Sequence, residues 1–316
     1  MPRLLITRPL PDKVVAVAEA VFDVTVRASN APLSDEEKRA ALAEYDAVLP
    51  TLGDAFSAPF FDPQPRCKLL ANFGVGFNHI DAVAARAAGV EVTNTPGAVT
   101  DATADIAMTL MLMTCRRAGE GERMVRAGQW EGWHPTQLLG MHLGGKTLGV
   151  IGMGRIGKAI AKRAAAGFGM RVVFYNRSTV TDLEIPATQL PDLAAVMGAA
   201  DVVVLAVPAT PQTHHLINKD TLAAMQPHSY LINIARGDIV DEVALIAALQ
   251  TGQIAGAGLD VYEFEPEVPQ VLRDMENVTL LPHLGTSAQE VREEMGLMAV
   301  ANLVAFFDGK PVPNPV

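Results

Sequence analysis

Three predicted strand ends deliver the side chains with the most chemistry to offer. The segment Ile232-Asn233-Ile234-Ala235 is followed by Arg236-Gly237. Gly258-Leu259 is followed by Asp260, then Tyr262 and Glu265-Pro266, and Leu280-Leu281-Pro282 by His283. In an open parallel sheet, ligands bind beyond the carboxyl ends of the strands, so this order brings an arginine, two acids and a histidine toward one crevice. That set suits the reduction of a 2-oxo acid. A guanidinium offers a fixed pair of donors to a carboxylate and its neighbouring carbonyl oxygen. An imidazole titrates near neutral pH and can protonate that oxygen as electrons arrive at carbon. A carboxylate bonded to the imidazole fixes its tautomer and favours its charged form. Arg236, Glu265 and His283 are the candidates. Each alone also fits a plain structural role; their convergence is what argues for a site. Arginine and histidine together polarise the carbonyl, so no metal is expected, and no nucleophile motif with an ordered histidine partner is present.

A second group of residues speaks to a cofactor. Gly152-Met153-Gly154-Arg155-Ile156-Gly157 has the spacing G-x-G-x-x-G, between an apolar run at 148–151 and a helical pattern from Ile156. Here Gly152 allows a tight strand-to-helix turn, Gly154 lets the backbone approach a pyrophosphate, and Gly157 lets the helix pack close to the sheet. The helix start offers free N–H groups and partial positive charge. The next strand ends Tyr175-Asn176-Arg177-Ser178, with no acid to hold a ribose 2′-hydroxyl. An arginine flanked by Asn and Ser would instead grip a 2′-phosphate. The cofactor expected is NADP(H), with NAD(H) accepted if Arg177 is only a solvated loop residue.

These residues must be carried by regular elements, and the chain alternates strand and helix patterns from end to end. Leu4-Leu5-Ile6, Val24-Thr25-Val26, Ala47-Val48-Leu49, Leu69-Leu70-Ala71 and Val90-Glu91-Val92 read as short strands. Helices are expected over 11–22, from Ser34 with Glu37 completing a capping box, and over 81–88. A long helix is expected over 103–118, leading into Gly128-Gln129-Trp130-Glu131-Gly132-Trp133-His134-Pro135. Six further strands are expected, at 147–151, 171–175, 202–207, 230–234, 256–260 and 278–281, and a last helix over 288–307. Alternation of this kind implies parallel sheets covered on both faces.

The 316 residues suit two domains, 49% of them are hydrophobic, and the net charge is −10. An acidic chain lacks the clustered basic surface that nucleic acid requires. The longest apolar stretch, 106–115, is about half of a membrane span and is bounded by Asp105 and Arg116. The N-terminus has too short an apolar run for a signal peptide. Cys67 and Cys115 lie in apolar runs without metal-ligand spacing, as buried thiols of a reducing compartment would. A cytoplasmic protein with no membrane or nucleic-acid partner is the expectation.

Taken together, the segments Asn72-Phe73-Gly74-Val75-Gly76-Phe77-Asn78-His79-Ile80-Asp81, Asn94-Thr95-Pro96-Gly97, Thr100-Asp101-Ala102-Thr103-Ala104-Asp105, the glycine turn, Asn233-Ile234-Ala235-Arg236-Gly237, Gly258-Leu259-Asp260-Val261 and Pro282-His283-Leu284-Gly285 resemble the D-isomer-specific 2-hydroxyacid dehydrogenase family. They cover nearly the whole chain in the family's order. The resemblance implies an α/β protein: a Rossmann-type dinucleotide-binding domain, residues 99–284, inserted into a flavodoxin-like α/β substrate domain, residues 1–98 and 285–316. It places Arg236, Glu265 and His283 on the family's catalytic residues. It places Leu52, Val75, Gly76, Thr286 and Trp133 at the substrate, with the backbone N–H groups of Val75 and Gly76 receiving its carboxylate. For the cofactor it implies Thr103 at the phosphates, Gly152, Gly154, Arg155, Ile156 and Gly157 in the turn, and Asn176, Arg177 and Ser178 at the 2′-phosphate. Val207 and Pro208 fall on the adenosine side and Asp260 at the nicotinamide carboxamide, and Thr213, Ile234, Ala235, His283 and Gly285 are further cofactor-binding positions.

Within the family, Trp130-Glu131-Gly132-Trp133-His134-Pro135 is similar to the W-x-x-W-x-P segment of glyoxylate/hydroxypyruvate reductases, which implies a homodimer in which Trp133 shapes the neighbour's substrate pocket. Asn78-His79 departs from the more usual acid of that loop and leaves the 2-oxo acid open. Two other outcomes stay open at this level: a dehydrogenase of a larger 2-hydroxy acid, of phenyllactate type, and a dinucleotide-sensing corepressor that keeps the same three residues.

Overall fold

All twelve strands pair in parallel, and the helices between them supply the crossovers that parallel pairing requires. The computed structural model describes residues Met1–Val316. Two compact units result: Met1–Val99 with Thr286–Val316, and Thr100–Gly285.

The first unit holds β1 (Arg3–Ile6), α1 (Asp12–Glu19), β2 (Asp23–Val26), α2 (Asp35–Glu44), β3 (Ala47–Leu49), β4 (Leu69–Ala71), α3 (Ala82–Ala87) and β5 (Glu91–Thr93). Its sheet runs β2-β1-β3-β4-β5, the order of flavodoxin-like folds. The capping box at α2 is present: Ser34 Oγ accepts from the Glu37 N–H, and Glu37 accepts from the Ser34 N–H. The last strand sits one residue later than its apolar pattern, because Glu91 pairs with Leu69 and Thr93 with Ala71.

The second unit contains α4 (Thr100–Cys115), α5 (Ala118–Arg126), β6 (Thr147–Ile151), α6 (Arg155–Phe168), β7 (Arg171–Tyr175), β8 (Ala187–Gln189), α7 (Leu193–Ala199), β9 (Val202–Leu205), α8 (Lys219–Ala223), β10 (Tyr230–Asn233), α9 (Glu242–Gln250), β11 (Gly256–Leu259), α10 (Gln270–Asp274) and β12 (Val278–Leu280). A final helix, α11 (Gln289–Phe307), completes the first unit, where it packs on α1 and β4. The seven-stranded sheet runs β12-β11-β10-β9-β6-β7-β8. The chain leaves β6 toward β7 and β8, then returns to the other side of β6 with β9, so strand order reverses at the β6–β9 boundary, where such sheets bind dinucleotides. Alternate residues feed opposite faces. Leu148, Val150, Val202 and Val204 pack under α4 and α6 with Leu110, Met111, Ile160 and Ala164. Ile151, Val203, Leu205 and Leu231 pack under α7 and α9 with Val196, Met197 and Leu245. A fully buried side chain of this size stabilises the fold by about 1.5–3 kcal/mol.

Several boundaries differ from the sequence pattern. Four strands stop one or two residues early, at Leu205, Asn233, Leu259 and Leu280, because the ladders end there and the backbone turns outward into loops. The expected helix over 103–118 starts three residues earlier and breaks after Cys115. The Met141 N–H takes the Cys115 carbonyl at 2.7 Å, and Arg117 adopts left-handed φ of 54°, so α5 begins afresh. The strand β8 was not visible in the sequence: it is three residues long, two of them polar, and at the sheet edge. Both cysteines are buried, and burial pushes each thiol up to about 12, which leaves neither as a reactive thiolate. No helix is long and apolar enough to cross a membrane.

Candidate active site

The glycine turn is built as its spacing demands. Gly152 has φ of +96°, a conformation that side chains disfavour, and a Cβ there would lie 2.7 Å from the Ala206 carbonyl oxygen. A Cβ on Gly157 would lie 2.1 Å from the Gly152 carbonyl oxygen, so the first turn of α6 presses directly on the strand end. By contrast, the Cβ position of Gly154 faces open space. A backbone bare on that side, beside a helix start with no side-chain cap, leaves N–H groups for phosphate. The residues fit a dinucleotide. Arg155 and Ile156 begin α6.

Asn176, which the resemblance places at the 2′-phosphate, bridges the glycine turn and the loop after β7. Its Oδ1 accepts from the Met153 N–H at 3.1 Å, and its Nδ2 donates to the carbonyl and hydroxyl oxygens of Ser178. It is thus spent on joining the loop after β7 to the glycine turn, while Arg177 and Ser178 are exposed. Val207 and Pro208 follow β9, and Thr213 Oγ1 donates to the Pro208 carbonyl at 2.7 Å, closing that loop.

The three candidate catalytic residues lie in this unit at the ends of β10, β11 and β12. Nδ1 of His283 is 2.8 Å from Oε2 of Glu265, whose Oε1 accepts from the Tyr262 N–H at 3.0 Å. Burial pushes the Glu265 carboxyl up, but the His283 hydrogen bond and charge, the Tyr262 N–H and Arg236 outweigh it, so the group sits below its ordinary value and stays ionised. A carboxylate on Nδ1 leaves Nε2 of His283 to face a substrate. Arg236 follows Ile234 and Ala235, both buried. Its Nη1 donates to the Ala235 carbonyl, and its buried Nε has no partner in the chain. Burial holds Arg236 below the usual arginine value, partly offset by Glu265 and Asp238. A buried cationic donor without an acceptor is costly unless a ligand completes it.

His283 has left-handed φ of 54°, and Asp260 holds that turn. The His283 N–H donates to the Asp260 carbonyl at 2.9 Å, and the two carboxylate oxygens of Asp260 accept from the N–H groups of Leu284 and Gly285 at 2.6 and 2.8 Å. Asp260, which the resemblance places at the nicotinamide carboxamide, is buried and also anchors the histidine loop. Burial raises its carboxyl despite the two N–H groups and His283. Thr103 is likewise buried, and its hydroxyl donates to the Gly285 carbonyl at 3.1 Å rather than standing as a free donor. Sequence spacing signals candidate side chains, and the anchoring by Asp260 has no such signal. Elsewhere in this unit, His215 Nε2 is 2.8 Å from Glu263 Oε1, and the His214 and His215 rings stack at 4.0 Å with 26° between planes. Rings stacked so nearly parallel cannot both hold one ion in their planes, so these groups read as packing.

In the first unit, the Asn72–Gly76 loop follows β4. Asn72 Nδ2 donates to the carbonyls of Gly74 and Gly76, both at 3.0 Å, and Asn94 Nδ2 to the Val75 carbonyl at 2.9 Å. Three carbonyls are tied back, and the N–H groups of Val75 and Gly76 have no acceptor in the chain. Consecutive free N–H groups form an anion-binding concavity. The clamping asparagines were not assigned a role from the sequence, although both lie in the motifs quoted for it. Leu52 is exposed, its carbonyl taken by Arg8 Nη1, and Thr286 is half-buried before α11. In the second unit, Trp130 and Trp133 are 54% and 80% exposed.

Comparison with known proteins bears on the family and the fold. The family model described as D-isomer specific 2-hydroxyacid dehydrogenase, NAD binding domain, matches residues 108–285. Glyoxylate reductase of Thermococcus onnurineus is 41% identical over all of this chain and 96% of that protein, and that of Pyrococcus horikoshii is 41% identical with the same coverage. Among solved structures, a protein of Thermus thermophilus superposes with a TM-score of 0.92 at 41% identity, covering 99% of each chain. The NADPH-dependent glyoxylate/hydroxypyruvate reductase of Sinorhizobium meliloti, in complex with NADP and malonate, gives a TM-score of 0.86 at 36% identity over 100% of this chain and 96% of that one.

Proposed function

The chain belongs to the D-isomer-specific 2-hydroxyacid dehydrogenase family, and from that premise we propose that it reduces small 2-oxo acids, such as glyoxylate or hydroxypyruvate, to D-2-hydroxy acids with NADPH. The observation that carries the reading is the half-buried Arg236, its buried Nε without an acceptor, beside a His283–Glu265 pair in the unit that holds the glycine turn. A reduced nicotinamide dinucleotide held by its pyrophosphate at that turn would supply a hydride to the 2-oxo carbon.

The protein's own groups do the rest. Arg236 binds the substrate's carboxylate edge and carbonyl oxygen, and its charge polarises the carbonyl. The N–H groups of Val75 and Gly76 take the carboxylate. His283 Nε2 delivers the proton to the oxygen that becomes the hydroxyl, and Glu265, ionised, orients the ring and balances its charge. Leu52 and Thr286 line the substrate. Val207 and Pro208 line the adenosine side, and Thr213, Ile234, Ala235 and Gly285 are further cofactor-binding positions. Arg177 and Ser178 select the 2′-phosphate. Relatives that share this reaction in their names, and one solved with NADP, support the reading.

The chain works as a cytoplasmic homodimer, the exposed Trp130 and Trp133 segment meeting the second copy. If Trp133→Ala left both the dimer and the ranking of 2-oxo acids unchanged, that part of the reading would be wrong. The primary test follows absorbance of the reduced nicotinamide with glyoxylate and hydroxypyruvate. Fast oxidation of NADPH and slow oxidation of NADH is the expected result. Equal rates would keep the reaction and remove the role of Arg177; no turnover with any 2-oxo acid would overturn the catalytic reading.

A further inference from the structure

We propose that Gln189, on the edge strand β8, is the positioning residue that makes the loop after β7 select a 2′-phosphorylated dinucleotide. The inference deepens the NADP(H) reading above and rests on it.

The loop from Asn176 to Val180 contains the exposed Arg177 and Ser178, and a free loop of this kind samples many shapes. Gln189 closes it. Its Nε2 donates to the carbonyls of Asn176 at 3.1 Å and Ser178 at 3.0 Å, and its Oε1 accepts from the Val180 N–H at 3.1 Å. The side chain is in reach because β8 pairs with β7 so that Gln189 lies opposite Phe174, near the strand's end. Only a carboxamide both donates twice and accepts at one position.

The consequence for an anion is specific. Carbonyl oxygens beside a phosphate repel it, and here the two nearest Arg177 in sequence are engaged by Gln189. The Ser178 hydroxyl oxygen accepts from Asn176 Nδ2 at 3.2 Å, which leaves its proton free to donate. The acids of the following segment are also neutralised. Asp182 pairs with Lys158 at 2.7 Å and Glu184 with Lys162 at 2.5 Å, both lysines on α6. The positive charge of Arg177 is therefore left unpaired on a loop already in shape, and the ordering cost of binding is prepaid. This gives the edge strand, which buries little, a purpose.

The binding test is calorimetric, and steady-state kinetics with NADPH accompany it. Affinities for adenosine 2′,5′-bisphosphate and for 5′-AMP are measured with the wild type, Gln189→Leu, Gln189→Glu and Arg177→Ala, with melting temperatures as a check of folding. One charge-assisted contact corresponds to a preference of at least about tenfold, and the wild type should prefer the bisphosphate by that much. Both Gln189 variants should bring the ratio to within about threefold while holding 5′-AMP as before, and should raise the KM for NADPH more than they lower kcat. Arg177→Ala losing the preference while both Gln189 variants keep it would overturn the role of Gln189 and leave the NADP(H) reading standing. Equal weakening of both ligands would also overturn it, since a merely structural residue acts that way. No preference in the wild type would bring down the NADP(H) reading and this inference with it.

Discussion

A Cβ placed on Gly237 would lie 1.8 Å from the carbonyl carbon of Tyr262 and 2.3 Å from the Glu263 nitrogen. The peptide after Arg236 is thus stacked on the peptide that begins the Glu265 loop. This contact sets the arginine and the glutamate against each other, and it tolerates no side chain because both partners are backbone.

Gly237→Ala should therefore lower kcat/KM by about 100-fold or more, since displacements of an ångström cost that much in a preorganised site. Overpacking of this kind costs about 1–3 kcal/mol, read as a melting temperature several degrees lower. A variant with unchanged melting and turnover would show that the two loops are free to separate.

Arg236 and His283 should fail in different ways. Arg236→Ala removes the cation that binds substrate, so KM rises steeply. His283→Ala removes the proton donor, so kcat falls by about 10²–10⁴-fold with a smaller change in KM. Near-normal turnover in both variants is the outcome incompatible with the mechanism.

Glu242 should reveal itself in the pH dependence of stability. It is buried at the start of α9, where its Oε1 accepts from the Glu263 N–H at 3.0 Å. Burial, with the charges of Glu263 and Glu265, raises its carboxyl above the ordinary 4.5, against the pull of the Glu263 N–H. A carboxyl raised on folding costs nothing below its unfolded value, where both states are protonated, and its cost grows as pH rises through the folded value. The substitution Glu242→Gln keeps the acceptor and drops the charge. The melting temperature of this variant relative to wild type should accordingly rise between pH 4 and pH 8, by on the order of 2 °C. A difference independent of pH would show that the Glu242 carboxyl is not raised.

Asn72→Ala should release the Gly74 and Gly76 carbonyls and spoil the row of N–H groups at Val75 and Gly76. The expected result is a KM for 2-oxo acids raised by about tenfold, the worth of roughly one charge-assisted hydrogen bond, with affinity for the dinucleotide unchanged. Unchanged KM would remove the carboxylate from that loop.

Much of this protein is legible in one dimension, and the reason is physical. Strand and helix are local patterns of apolar residues, so the order of elements, the limits of β6 and β7 and the capping box at Ser34 follow from the sequence. The turn at Gly152 is equally local, because only glycine adopts its φ at no cost. Strand ends point to Arg236, Glu265 and His283 because a parallel sheet fixes where its loops emerge. Tertiary structure decides who accepts which hydrogen bond. Asp260 holds Leu284 and Gly285 from 24 and 25 residues away, Asn94 reaches Val75 across 19, and Gln189 reaches Asn176 across 13. Such bonds depend on which backbones packing brings together, and an apolar pattern records which face is buried without recording its partner. The same holds for β8, too short and too polar to show a period, and for Gly237, whose need for a bare Cα exists only because Tyr262 lies against it.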